Sequence, residues 1–177
     1  MTPQEIFDKA VLHIYTMPGQ CSVTACYPKK KGQPQKGVNI CRYRRADGNK
    51  CVVGIFIADE DYDPRMDQKI PRSGVVEEFA SAEFGGSVRD LITHARKGRI
   101  RLSADIIENV ELFDELQNAH DTDANWSSSK SSPSWAMMTA LSKIAHKFRL
   151  NDAALRTYSF MLWNPTTPAP AGDSVHG

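Results

Sequence analysis

The sequence has no long apolar run, no export signal and no large excess of charge of either sign. Its apolar runs fall short of the roughly 20 residues that a helix needs to cross a bilayer, so we predict no contact with a membrane. The amino terminus carries acidic residues early and lacks a basic stretch followed by an apolar one, so we predict no signal peptide. The expected location is then cytoplasmic, where reducing conditions favour free thiols.

The motifs of the large enzyme classes are also missing. The chain contains no P-loop, no glycine fingerprint of dinucleotide-binding proteins and no nucleophile elbow. The sequence therefore predicts no catalytic residue and no cofactor, and it favours a protein that is not an enzyme.

The small net charge of +1 conceals an uneven distribution along the chain. Residues 1–58 carry a net charge of +6, residues 59–123 a net charge of −8, and residues 124–177 a net charge of +3. Neither a strongly basic nucleic-acid-binding domain nor an acidic disordered chain fits this balance. Two oppositely charged surfaces can serve two partners, or the opposite segments can pack together or stay solvated.

Capping residues and apolar spacing predict five helices. Thr2, Pro3 and Glu5 form a capping box with proline in the first turn, and apolar residues then recur at helical spacing as far as Ile14. Pro18-Gly19 should end this helix. Further helices are predicted over 75–84, 87–97 and 104–120, and from Ser132-Pro133 to Asn151.

Residues 39–58 predict a β-hairpin. Asp47-Gly48 is a strong turn signal, and the nearly continuous apolar run from Cys51 to Ala58 is typical of a buried strand. Gly54 inside that run indicates a bulge or a close approach of another main-chain segment.

We therefore predict an α+β fold in a single globular domain of residues 1–163. A small antiparallel β-hairpin or sheet packs against an N-terminal helix and three to four C-terminal helices. The segment 20–38 is expected to be a mobile basic loop, and the proline-rich segment 164–177 a disordered tail. The core is expected to contain Trp135, Phe148, Phe113, Ile106, Ile55 and Ile57.

The predicted hairpin carries the pattern C-x-Y-R-x-x-D-G-x-K-C-x-V-G-x-x-I-x-D-E-x-Y-D-P-x-M between Cys41 and Met66. Together with the opening residues 2–7, with Leu116-Gln117 and His120-Asp121, and with Trp126, this pattern resembles a family of small uncharacterised proteins from bacteriophages and bacterial genomes. The resemblance covers most of residues 1–150. It implies a phage or prophage origin, and therefore a host-cell cytoplasm, and it brings no known activity.

The leading functional prediction is a phage-encoded accessory protein that binds a host protein or a host defence component without catalysis. We define the basic patch as Lys29, Lys30, Lys31, Arg42, Arg44, Arg45 and Lys50. We define the acidic loop as Asp59, Glu60, Asp61, Asp63 and Asp67. The alternative function is a nucleic-acid or nucleotide-binding protein that uses the basic hairpin. Lysine and arginine side chains can bind phosphates, and a two-stranded β-ribbon can enter a groove of the nucleic acid. The sequence leaves the oligomeric state open.

Metal chemistry has two sets of candidates. Cys21, Cys26, Cys41 and Cys51 have the ligand type of a structural zinc site, but the second pair is widely spaced and buried free thiols explain the cysteines as well. The adjacent His120 and Asp121 suggest a metal-dependent hydrolase as a second alternative function. A histidine that favours a helix end, followed by an aspartate that opens a turn, explains the same pair. The acidic loop holds only part of a calcium-loop pattern.

Overall fold

The computed structural model describes residues 1–26, 37–67, 83–84 and 86–163. These segments are mainly helical, with α1 (Pro3–Thr16), α2 (Val88–Arg96), α3 (Ala104–Glu108), α4 (Val110–Asp121), α5 (Trp135–Phe148) and α6 (Ala153–Trp163). Single turns of 3-10 helix lie at Gly54–Phe56, Pro64–Met66 and Asp123–Asn125. Two five-residue strands, β1 (Ser22–Cys26) and β2 (Gly37–Cys41), pair antiparallel, with Ser22 opposite Cys41.

The predicted α+β class is wrong, because the run from Cys51 to Ala58 does not form a strand. It folds as a turn and a 3-10 helix whose side chains enter the helical core. The turn at Asp47-Gly48 is present, but a single bridge between Arg44 and Lys50 spans it. β1 and β2 contact mainly each other, so no sheet is packed against the helices in the described segments.

Gly54 explains why this apolar run turns. An added Cβ at Gly54 would lie 1.9 Å from the carbonyl oxygen of Tyr43, a distance that no side chain permits. The amide of Cys51 donates to that same carbonyl at 3.1 Å. The close main-chain approach predicted at Gly54 is therefore confirmed, although it belongs to a turn rather than to a strand.

The structure confirms the capping box predicted for the N-terminal helix. The Thr2 hydroxyl accepts from the amide of Glu5, and the Glu5 carboxylate accepts from the amide of Thr2 at 2.6 Å. This reciprocal cap satisfies two main-chain donors that have no partner inside the helix. The inner face of α1 is fully buried at Ile6, Phe7, Ala10, Val11 and Ile14.

Helix α4 occupies the centre of the helical domain. It packs against α1, α2 and α5, while α6 packs against α1 and α5. Phe113 and Leu116 on α4 are fully buried, and the ring of Phe56 meets Phe113 edge to face. The core therefore fixes the position of α4, and with it the position of its last two residues, His120 and Asp121.

Other predictions about the helices have mixed outcomes. The structure confirms the predicted cap of α2 at Ser87. The helix predicted over 104–120 is divided into α3 and α4 at Asn109, whose side chain donates to the carbonyl of Asp105 at 2.9 Å. Trp135, predicted in the core, is 60% exposed because it occupies the first turn of α5. Most of the predicted helix 75–84, residues 27–36 of the predicted loop and the predicted tail 164–177 lie outside the described residues. Residues 22–26 of that loop form β1. Within the segments described, no helix combines the length and the apolar character needed to cross a membrane.

Candidate metal centre

Three potential metal ligands meet where β2 ends and α4 ends. One ligand atom each from Cys41, His120 and Asp121 lies within 4.8 Å of the other two. Cys41 is the last residue of β2, and His120 and Asp121 are the last two residues of α4. The structure thus joins one member of the predicted cysteine set to the predicted His-Asp pair.

His120 is fully buried, and one of its ring nitrogens has no partner. Its Nδ1 lies 2.8 Å from Oδ1 of Asp121, whereas Nε2 is buried without a hydrogen bond. When Nδ1 carries the proton and donates it to Asp121, the neutral ring leaves a bare lone pair on Nε2. A buried ring nitrogen without a partner is costly in either neutral tautomer, whether it is an acceptor or a donor.

The position of His120 is fixed from several sides. The indole Nε1 of Trp126 donates to the carbonyl of His120 at 2.6 Å, and the two rings meet edge to face with centroids 5.4 Å apart. Asn125 donates to the carbonyl of Ala119 at 2.8 Å. These side chains satisfy carbonyls that the last turn of a helix leaves without partners. The ring of His120 is therefore held in place without any ion.

Gln20 contacts all three potential ligands. Its Nε2 donates to the carbonyls of His120 and Asp121 at 3.1 and 3.5 Å, and it lies 3.8 Å from Sγ of Cys41. The side chain is buried, and its Oε1 has no hydrogen-bond partner. Two buried polar atoms without partners, one on His120 and one on Gln20, therefore belong to the same cluster.

The main chain before Gln20 is held by a neighbouring loop. Gly19 has φ of 131°, and an added Cβ would lie 2.6 Å from the carbonyl oxygen of Lys130. The amide of Gln20 donates to that carbonyl at 2.9 Å. Glycine at position 19 thus permits the approach that places Gln20 beside the end of α4.

The thiols of Cys21, Cys41 and Cys51 keep their protons at neutral pH. Burial, followed by the neighbouring Asp121 carboxylate, raises the pKa of Cys41, which also donates to that carboxylate. Burial raises the pKa of Cys21 to about 12 and holds the pKa of Cys51 well above its ordinary value. A thiol beside a carboxylate is a poor nucleophile, because no positive charge stabilises the thiolate. The cluster of Cys41, His120 and Asp121 therefore suits metal binding better than nucleophilic catalysis.

One thiolate, one imidazole and one carboxylate form a donor set that suits zinc. Among the residues described here, no fourth cysteine, histidine or acidic side chain joins this group. Cys21 and Cys51 are buried nearby, but Cys21 donates to the carbonyl of Asn49, and Cys51 accepts from the amide of Gly54. The side chain of Cys26 lies outside the described residues. Within the described part of the chain, the arrangement thus offers three protein ligands.

The basic patch and the acidic loop meet at Asp59. Arg44 and Lys50 both pair with this carboxylate, at 2.9 and 2.7 Å, and hydrogen bonding from Lys50 lowers the pKa of Asp59. The guanidinium of Arg44 also lies 4.3 Å from the centroid of the Tyr62 ring. Part of the charge that was predicted to face partners is thus compensated within the molecule.

Other members of these two surfaces also contact neighbouring residues. Asp61 pairs with Arg101 at 2.7 Å, the Glu60 carbonyl accepts from the same guanidinium, Asp63 pairs with Arg65, and Arg45 pairs with Asp47. Asp67 is buried and accepts from the amide of Tyr43 at 2.7 Å and from the hydroxyl of Tyr62 at 2.6 Å. Lys29, Lys30 and Lys31 lie outside the described residues. Partner binding by either surface stays a prediction.

Comparisons with known proteins assign no family to this chain. No protein-family model matches it, no curated protein matches it, and no solved structure matches it.

Proposed function

We propose that this protein binds a transition-metal ion, with zinc as the first candidate, at Cys41, His120 and Asp121. The observation that supports the proposal is the convergence of three donor atoms within 4.8 Å at a fully buried histidine. An ion shared by His120 and Asp121 would lie on the Nδ1 side of the ring, where Nδ1 and Oδ1 of Asp121 are 2.8 Å apart, and it would replace the hydrogen bond between them. Nε2 would then carry the ring proton.

The charges of the three side chains also suit a divalent cation. Cys41 as a thiolate and Asp121 as a carboxylate would together neutralise the two charges of the ion. In the absence of an ion, the Cys41 thiol keeps its proton because of burial and the nearby carboxylate. Metal binding must therefore displace that proton, which is the ordinary behaviour of cysteine ligands.

Metal binding would also connect two parts of the fold. Cys41 ends β2, whereas His120 and Asp121 end α4, and the strands make few contacts with the helices in the described segments. An ion held by both would add a strong link between them. Since the ligands converge only in the folded chain, binding should stabilise the fold.

Metal binding replaces host-protein binding as the leading function for a structural reason. The donor atoms of the metal centre converge and leave one nitrogen without a partner. Several charges of the basic patch and acidic loop, by contrast, pair with each other through Asp59. A charge that already pairs within the molecule is weaker support for an external partner than a buried polar atom without a hydrogen bond.

Titration calorimetry of the full chain, stripped of metal with a chelator, tests the proposal. We expect one zinc ion per chain for the wild type. Replacing the sulfur ligand in Cys41→Ser should weaken binding by on the order of a hundredfold or more. Cys21→Ser is the matched control, because Cys21 is a buried thiol close by that is not one of the three proposed ligands, and a hydroxyl can replace its hydrogen bond to the carbonyl of Asn49. Absence of stoichiometric binding, or equal weakening in both variants, would contradict the proposal.

A further inference from the structure

We propose that the fourth coordination position of this centre holds an exchangeable water molecule, and that Gln20 positions this water through its Oε1 atom. The inference rests on the proposed metal site and goes beyond it, because it separates a site that only stabilises the fold from one that can activate water. It would place the centre in the hydrolytic class that His120 and Asp121 suggested from the sequence.

The first observation concerns the number of ligands. Catalytic zinc sites have three protein ligands and one open position, whereas structural sites are closed by four. Cys41, His120 and Asp121 supply three, and no fourth ligand-type side chain joins them among those that the structure describes, which do not include that of Cys26.

The second observation concerns access. His120 is fully buried, but Cys41 is partly exposed and the side chain of Asp121 is 33% exposed. The centre therefore has one buried wall, formed by the histidine, and one side that solvent can reach.

The third observation is the orientation of Gln20. Its Nε2 donates to the carbonyls of His120 and Asp121, which identifies that end of the amide as nitrogen and the other end as oxygen. The oxygen is buried without a partner, while the nitrogen lies 3.8 Å from Sγ of Cys41. A water molecule bound to the ion could donate to this oxygen. Gln20 is thus a positioning residue, since it would act on the water and on the ligands rather than on a substrate.

Cobalt substitution and azide binding test the inference without a known substrate. Cobalt(II) in place of zinc gives a visible spectrum that reports its ligands, and azide is a small anion that can replace a bound water. Azide has no proton to donate to Oε1 of Gln20. Gln20→Met removes that acceptor at similar side-chain size, so azide should bind roughly two- to tenfold more tightly to this variant than to the wild type, as expected for one hydrogen bond.

Two further variants complete the design. Gln20→Glu keeps an oxygen acceptor and should bind azide no more tightly than the wild type, and it also serves if Gln20→Met does not fold. Gln117→Met removes a glutamine of α4 whose hydrogen bonds go to the Gly86 carbonyl, the Tyr43 hydroxyl and the amide of Val88 rather than to Cys41, His120 or Asp121, and it should leave azide binding unchanged.

The possible failures are distinguishable. If cobalt does not bind to the wild type, the metal site itself is wrong, and this inference with it. If cobalt binds but a saturating concentration of azide leaves its spectrum unchanged, the coordination sphere is closed and only this inference is overturned. If azide binds equally to the wild type and to Gln20→Met, Gln20 does not position the exchangeable ligand.

Discussion

Replacing His120 with leucine tests whether this buried histidine is a metal ligand or only part of the packed core. In metal-free protein, His120 carries a buried Nε2 without a partner, which costs roughly 1–3 kcal/mol relative to a satisfied site. His120→Leu removes that cost, and the buried leucine gains about 1 kcal/mol or more from its apolar surface. The variant loses the hydrogen bond to Asp121 and the edge contact with Trp126, each worth about 1 kcal/mol.

These terms predict that His120→Leu is as stable as the wild type in the presence of a chelator, or more stable by up to about 2 kcal/mol. Most buried histidines with both nitrogens satisfied would show the opposite sign. In the presence of zinc at on the order of a hundredfold above its dissociation constant, the wild type should gain about 2.7 kcal/mol and the variant nothing.

Urea unfolding followed by tryptophan fluorescence, in chelator and in zinc, measures both effects. Trp126 contacts His120 directly and provides a probe near the site. A destabilisation of His120→Leu by more than about 2 kcal/mol in chelator would show that Nε2 already has a partner, and would refute the reasoning. An equal stabilisation of both proteins by zinc would show that the ion binds elsewhere.

Three further predictions concern the fold and the ligands. Gly54→Ala should cost about 3 kcal/mol or more in urea unfolding, because its Cβ would overlap the carbonyl of Tyr43, whereas Gly86→Ala, where an added Cβ meets no atom within 4 Å, should be nearly neutral. Asp67→Ala should cost about 3 kcal/mol, because it leaves buried donors without an acceptor, while Asp59→Ala, which removes only an exposed ion pair, should be nearly neutral. Zinc binding should release about one proton per ion at neutral pH, because the Cys41 thiol is protonated without metal and deprotonated with it; calorimetry in buffers of different ionisation enthalpy measures this number, and a value near zero would exclude the thiolate as ligand.

Local sequence signals predicted the helices that begin with clear caps. Thr2 with Glu5 and Ser87 with Asp90 each form the expected contacts, since a cap depends on residues a few positions apart. Helix α6 was not predicted, because Asn151 was assigned to the end of the preceding helix, whereas its side chain accepts from the amide of Ala153 at 2.8 Å and caps α6.

The prediction of a β-hairpin over residues 39–58 was wrong because an apolar run alone does not determine whether a segment forms a strand, a helix or a turn. Residues 51–58 are apolar since they are buried, and burial suits a turn in a helical core as well as a strand. The approach of Gly54 to the carbonyl of Tyr43 decides between them, and it depends on the path of the whole segment. The glycine signal was correct, but the element that it belonged to was not.

The metal centre could be predicted only in parts. His120-Asp121 and the cysteines were both noted as separate candidates, but no spacing rule indicates that Cys41 meets the end of α4. Gln20 carried no signal at all, because a glutamine after Pro18-Gly19 is an ordinary loop residue by type. Long-range packing brings these side chains together, and only the folded structure reveals it.

X-ray absorption at the zinc edge of the loaded full chain tests the central claim most directly. We predict one sulfur ligand at about 2.3 Å and nitrogen or oxygen ligands at about 2.0–2.1 Å, with the sulfur contribution lost in Cys41→Ser. A spectrum with two or more sulfur ligands, with none, or with a sulfur contribution that persists in Cys41→Ser would contradict a centre made of Cys41, His120 and Asp121.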